Sequence, residues 1–384
     1  MAVSLGKYRG WIAVLGGVLV HLTLGTIYTF GNMNPYLTSY IRLKSSPSDL
    51  TYKVSVWVFS LQGAGQGLSM FVGGYISRRI GPRWTALLGG WFMSAGVILT
   101  YFTVSHSFYA ILATYGLMFG LGIGIAYAPP LACAMKLQAD PEEVAPLARS
   151  PSEGSLNDDL DIQEDSSVQN DRFAPKPIER RSLSPGQILK TREFYMLWFM
   201  FFMNGNAVVF ISTLWKAFGQ TKIQDDHFLA LVGAFSAVLN AVGRPFWGWL
   251  ADRYSFKVSL MGLCTSMIFF TMTLFAVPDE ADAGVGAKVM FFIWICGIFG
   301  SFCGNFSLFP TATAKTFGPD YVAVNYGLVF TSGLVSSITG GIITSALMSA
   351  LGWFGMFSLV SGMTAISGII AFLFKAKNAE GRDI

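Results

Sequence analysis

What most constrains this chain is the recurrence of long apolar runs. They lie at about 9–30, 52–76, 84–103, 109–135, 193–215, 228–250, 257–277, 287–310, 322–348 and 352–374. At ~1.5 Å rise per residue, about twenty helical residues cover the ~30 Å hydrocarbon layer of a bilayer. Backbone polar groups in hydrocarbon must be satisfied within the segment, so such runs fold as helices. The chain therefore reads as an all-α polytopic membrane protein of about ten spans, four before a long polar interval and six after it.

Composition agrees, with 53% hydrophobic and only 12% charged residues. The net charge of +4 is no sign of nucleic-acid binding, because the basic residues sit in short loops. They set orientation instead: a cytosolic amino terminus puts most of the 26 Lys and Arg on inner segments, with both termini inside. The first apolar run lacks a small-residue cleavage site and reads as a retained span rather than a signal peptide. Cys133, Cys264, Cys296 and Cys303 all fall in apolar segments, so no disulfide framework is implied. Whether the membrane is that of the cell or of an organelle is not written in these features.

Leu137 to Thr191 is rich in Ser, Pro, Asp and Glu and too polar to build a core. The expected organisation is an incomplete bundle of four spans over 1–136, a disordered cytosolic tether over 137–191, a six-span bundle over 192–376, and a cytosolic tail over 377–384.

Arg244 stands inside the apolar run 228–250. A cation there costs at least ~2.5 kcal/mol on insertion scales, so it is expected to face a cavity or a partner. Asn240, four residues earlier, shares its helical face, and Pro245 is expected to kink or loosen the helix beside it. His21 reads as a proton relay or, more economically, as a packed histidine. Gln66 reads equally as a cavity amide or a packing amide; Tyr28, Asn32 and Asn204 are weaker candidates. The spans hold no clear interior Asp or Glu, which argues against carboxylate-mediated proton coupling; proton symport and anion exchange both stay open. No nucleotide loop, zinc spacing or nucleophile constellation stands out, so neither a cofactor nor an enzyme is expected.

Two loops repeat. The first is GYISRRIGPR, with Gly74, Arg78, Arg79, Gly81 and Arg83; the second is GWLADRYSFK, with Gly248, Asp252, Arg253 and Lys257. They resemble the G-x-L-A-D-R-x-G-R-K loop found in each half of the major facilitator superfamily, whose fold is two helical bundles. Such charges can pair in one conformation and part in another, acting as a latch. The segments around Tyr28, Tyr127, Asn240 to Asp252, and Asn325 to Thr331 resemble the oxalate/formate antiporter and monocarboxylate carrier branch. That resemblance implies a secondary carrier of small organic anions working by alternating access, with Arg244 and Asn240 binding the carboxylate and Tyr127 offering a hydroxyl.

Two departures qualify it. The branch's oxalate carriers place a Lys in the penultimate helix where Phe330, Thr331, Ser332 and Gly333 stand here. One cation matches one carboxylate, so a monocarboxylate is favoured over a dianion. The family has twelve spans, and the residues after Lys136 resemble the stretch that trails the sixth, so the fifth and sixth spans are expected to be missing. The alternative expectation is a transport-incompetent, truncated membrane protein that regulates or pairs with a complete carrier.

Overall fold

A computed structural model of the protein describes residue 12, residues 15–139 and residues 182–376, and these are almost wholly helical. Helical residues 15–24 pass through a 3-10 turn, Gly25–Thr29, into α1, Phe30–Lys44. α2 is Tyr52–Ile80 and α3 is Pro82–Thr103. A short helix, Phe108–Ile111, and a π turn, Leu112–Met118, lead into α4, Phe119–Ala139. Beyond 182 come α5, Arg192–Lys222; α6, Asp226–Arg253; α7, Phe256–Leu274; α8, Val285–Phe302; α9, Asn305–Phe317; and α10, Val322–Leu373.

The helix ends follow local chemistry. Thr191, Asp225 and Ser255 each accept a backbone N–H three residues on, satisfying a donor that the first helical turn leaves free. Gly81 separates α2 from α3 with φ of 87°, a conformation costly for any residue with a Cβ, and Pro82 starts the next helix. Gly352, φ 62°, breaks α10 into two helical stretches.

Seven helical stretches among the described residues are long and apolar enough to cross a membrane. α2 is not one of them, though it is 29 residues long. Its Ser55, Ser60, Gln62, Gln66 and Ser69 are buried, and it packs against α4 and α10. There the two halves approach closely: a Cβ on Gly67 would lie 2.5 Å from the Leu334 backbone nitrogen. Small residues permit such backbone contact between helices. On the other flank α1 leans on α5, with Asn34 donating to the Thr213 carbonyl at 3.3 Å.

Pro245 lies inside α6, which runs on to Arg253. Two expectations need adjustment. The first apolar run ends near 30, yet helix continues to Lys44; Asn34 and Thr38 there are fully buried, so the segment is polar by composition but internal by position. The interval 137–191 is not unstructured at its far end. Pro185–Ile188 is helical with a capping box, Leu183 N–H donates to Phe317 O at 2.8 Å, and Asn325 Nδ2 donates to Leu183 O at 3.0 Å. The rest of the tether, 140–181, and the tail, 377–384, lie outside the described residues.

Candidate functional site

α6 carries Arg244 into the middle of the molecule. Its Nη2 donates to Asn240 Oδ1 at 3.2 Å, one turn back on the same helix. The guanidinium carbon lies 5.8 Å from the Tyr28 ring centre and 5.2 Å from that of Phe306, so two aromatic faces flank the cation. No carboxylate pairs with Arg244 among the described residues. Arg244 Nε and Asn240 Nδ2 are buried donors without a protein acceptor, as is the Tyr326 hydroxyl.

Five of the six residues singled out as substrate-facing line one pocket: His21, Tyr28, Gln66, Tyr127 and Arg244, together with Leu24, Gly25, Ile27 and Ile123. The sixth, Asn240, holds the guanidinium. The pocket is tight, with open room of about 10 Å³, close to that of a single water. The 3-10 turn Gly25–Thr29 forms one wall, tightening the chain where Tyr28 swings in. Tyr127 packs edge-on to His21 at 4.7 Å, and His21 Nδ1 lies 2.9 Å from the Gly17 carbonyl. Phe330 closes another side, 6.3 Å from Tyr127 and 5.8 Å from Tyr326. The arrangement is a cation with free donors in an aromatic enclosure, suited to a small anion bearing a short apolar part. A larger concavity, lined by Tyr195, Trp198, Phe199 and Leu373, is an apolar groove on the outside of α5 and lacks such convergence.

Other candidates lie elsewhere. Asn204 donates to Asn305 Oδ1 at 2.9 Å, a packing role within the second half. Thr331, in the stretch where the branch's oxalate carriers place a second cation, accepts from Trp198 Nε1 at 2.9 Å. Asp252 does not meet Arg78 or Arg79; it pairs with Lys315 at 2.8 Å, inside its own half. Arg79 stays on its own helix with Tyr75, and Lys257 sits 4.7 Å from the Phe372 ring. Contact between halves on this face comes from Arg78, 4.2 Å from the Tyr321 ring, and from Gly74, whose Cβ would lie 2.8 Å from the Ala323 backbone. Gly248 has open space around it, unlike Gly74. Among the described residues, neither Arg83 nor Arg253 forms an ion pair with the other half.

Sequence reasoning missed Lys216. Its side chain is 0% exposed and lies 3.0 Å from Asp226, 3.1 Å from Asn32 and 2.9 Å from the Tyr36 hydroxyl. It stands one residue past an apolar run, where a lysine reads as a flanking charge.

Long apolar helices around an enclosed cationic pocket define an integral, multi-pass membrane transporter rather than an enzyme. A sequence profile of the Major Facilitator Superfamily matches residues 12–144 and 168–383, and the chain belongs to that family. It is 27% identical to apicoplast pyruvate carrier 1 of Toxoplasma gondii, over 96% of this chain and 89% of the relative. It is 25% identical to the oxalate:formate antiporter of Oxalobacter formigenes, over 82% of this chain and 79% of that one. The fold is similar to that of a D-xylose-proton symporter, at a TM-score of 0.58 and 11% identity, covering 98% of this chain and 99% of that one. Each of these relatives is a carrier, so the transport-incompetent alternative finds no support among them.

Proposed function

We propose that the chain is a secondary carrier of small organic anions, monocarboxylates ahead of dianions, with Arg244 as the carboxylate ligand. The observation that carries this reading is the enclosed guanidinium with no acidic partner and with neighbouring donors left free. A buried charge without a partner is costly, and an arriving carboxylate supplies what is missing. Lys216 does not alter the count of cations, because Asp226 neutralises it. The names of the relatives, a pyruvate carrier and an oxalate:formate antiporter, support a carboxylate substrate.

The same reading takes the chain across the membrane ten times: seven apolar helical stretches, one more from the break at Gly352, the first apolar run whose helix leads into α1, and α2. Both termini and the tether are then cytosolic, and Lys216 lies toward the outer face. The bundles are 4 + 6, with the family's fifth and sixth spans absent. In support, the alignment with the pyruvate carrier runs over 495 positions against a chain of 384, so it needs long gaps in this chain. The latch is reassigned to Arg78, Tyr321 and Gly74 across the halves, with Asp252 and Lys315 bracing one of them.

The test is uptake of labelled pyruvate by reconstituted protein. Arg244→Lys keeps the charge but loses the planar two-point fork. We expect a loss of about tenfold or more, the worth of one charge-assisted hydrogen bond. Unchanged uptake in that variant would remove the assignment of Arg244, and absence of saturable flux in the folded wild type would remove the carrier reading itself.

A further inference from the structure

The Lys216 cluster joins three helices. Its ammonium donates to Asn32 Oδ1 and to the Tyr36 hydroxyl and lies in ion-pair contact with Asp226, while Tyr36 in turn donates to Asp226. The nitrogen also lies 4.3 Å from the centre of the Tyr36 ring. Asn32 and Tyr36 come from α1, Lys216 from α5, and Asp226 from the first residue of α6.

Spacing along α1 relates this cluster to the pocket. Tyr28, in the 3-10 turn that leads into α1, flanks Arg244; Asn32 and Tyr36 follow in α1, four residues apart and on one face of it. Asn32 also faces Gly233 of α6, where a Cβ would lie 3.2 Å from its amide carbon. The Lys216 cluster therefore lies further along the same stretch of chain that lines the pocket at Tyr28, outside the pocket itself.

The division of bonds between halves matters. The ion pair itself, Lys216 with Asp226, lies wholly within the second half and survives a separation of the two bundles. Only the hydrogen bonds from α1 must part. Separation then uncovers an ammonium whose anionic partner among the described residues, Asp226, has a side chain 44% exposed.

We propose that Lys216 is a receiving site for the substrate carboxylate at the outer mouth: the anion displaces Asp226 from the ammonium before passing inward to Arg244. This rests on the reading of the chain as an anion carrier. Asp226 acts as a resident surrogate, keeping the cation compensated while the mouth is empty and the α1 bonds are closed.

The basic and the acidic partner should then act oppositely, which a stabilising ion pair would not do. The full chain is expressed in cells lacking pyruvate uptake, with intact cells probing the outer face and inverted membrane vesicles the inner. Pyruvate is the probe. Lys216→Met should raise the outer KM about fivefold or more and leave the inner KM within about twofold. Asp226→Asn, which frees the cation, should lower the outer KM by a few-fold. Shifts of both variants in the same direction, or no shift in either, would overturn the proposal. If Lys216→Met fails to fold, Asp226→Asn decides alone, since it retains the ammonium and its α1 partners. Arg244→Lys is run alongside. Uptake that is saturable in the wild type and lost in that variant keeps the carrier reading even if the Lys216 results fail. A wild type without saturable uptake removes both.

Discussion

Arg244 is legible in the sequence because a guanidinium in an apolar run is an anomaly that physical chemistry has to explain. Its neighbour on the helix is legible too, since a four-residue step fixes Asn240 on its face. Tyr28, Gln66 and Tyr127 are harder, because each comes from a different helix and local spacing does not bring them together. Lys216 is not legible at all: its contact with Asn32 spans 184 positions, and no local pattern encodes it. The geometry at Asn240 gives a sharp expectation. Asn240→Asp would set a carboxylate where an amide oxygen now lies 3.2 Å from Arg244 Nη2. It would satisfy the cation internally, and pyruvate uptake at neutral pH should fall by about tenfold, the worth of roughly 1.5 kcal/mol. Equal uptake in this variant would mean that the guanidinium is not the charge the substrate meets.

Among elements, the apolar runs locate most helices to within a few residues at each end. They fall short in α1 beyond Phe30, where Asn34 and Thr38 are fully buried although hydropathy reads them as surface. The run 52–76 does locate α2, in which the buried Ser69 donates to the Leu121 carbonyl of α4. Once such groups are bonded their polarity carries little cost. The seam of α2 with α10 is also the element most exposed to substitution. Gly67→Ala would bring a methyl to 2.5 Å from the Leu334 backbone, and backbone cannot swing aside as a side chain can. We expect about 1–3 kcal/mol of lost stability, measured as thermal unfolding in detergent. Gly248→Ala, in open space, serves as the control, with a much smaller change. Comparable losses at both positions would contradict a tight seam.

For the whole molecule, the two halves meet through the Lys216 cluster at one place and through Arg78, Tyr321 and Gly74 at another. That balance is assembled from long-range contacts and is not legible beyond the general expectation of two bundles. The face bearing Lys216 has a second brace, independent of the pocket. Lys288 lies 2.9 Å from Asp225 and 3.0 Å from Glu280, tying the start of α6 to the connector before α8. Both carboxyls are held below their ordinary range, chiefly by the Lys288 hydrogen bond, with the Phe228 and Gln224 backbone N–H groups adding to it. A depressed folded-state pKa contributes stability above the ordinary value near ~4, and that contribution is lost as pH falls through the depressed one. Unfolding temperature should therefore hold level down to about pH 4.5 and drop below about pH 4. In Lys288→Met that acid limb should flatten; an identical limb would assign the acid sensitivity to other groups.

The outward face of the helix that leads into α1 has a consequence for how the chain is made. Thr23, Thr26 and Thr29 are exposed there, and each hydroxyl donates to a carbonyl of its own helix: Leu19, Thr23 and Thr26, at 3.2, 2.9 and 2.7 Å. A row of hydroxyls on a membrane helix would ordinarily oblige a neighbour to receive them. These make no such demand. The first helix is thus free to leave the insertion machinery and wait in lipid while the rest of the protein is still being synthesised.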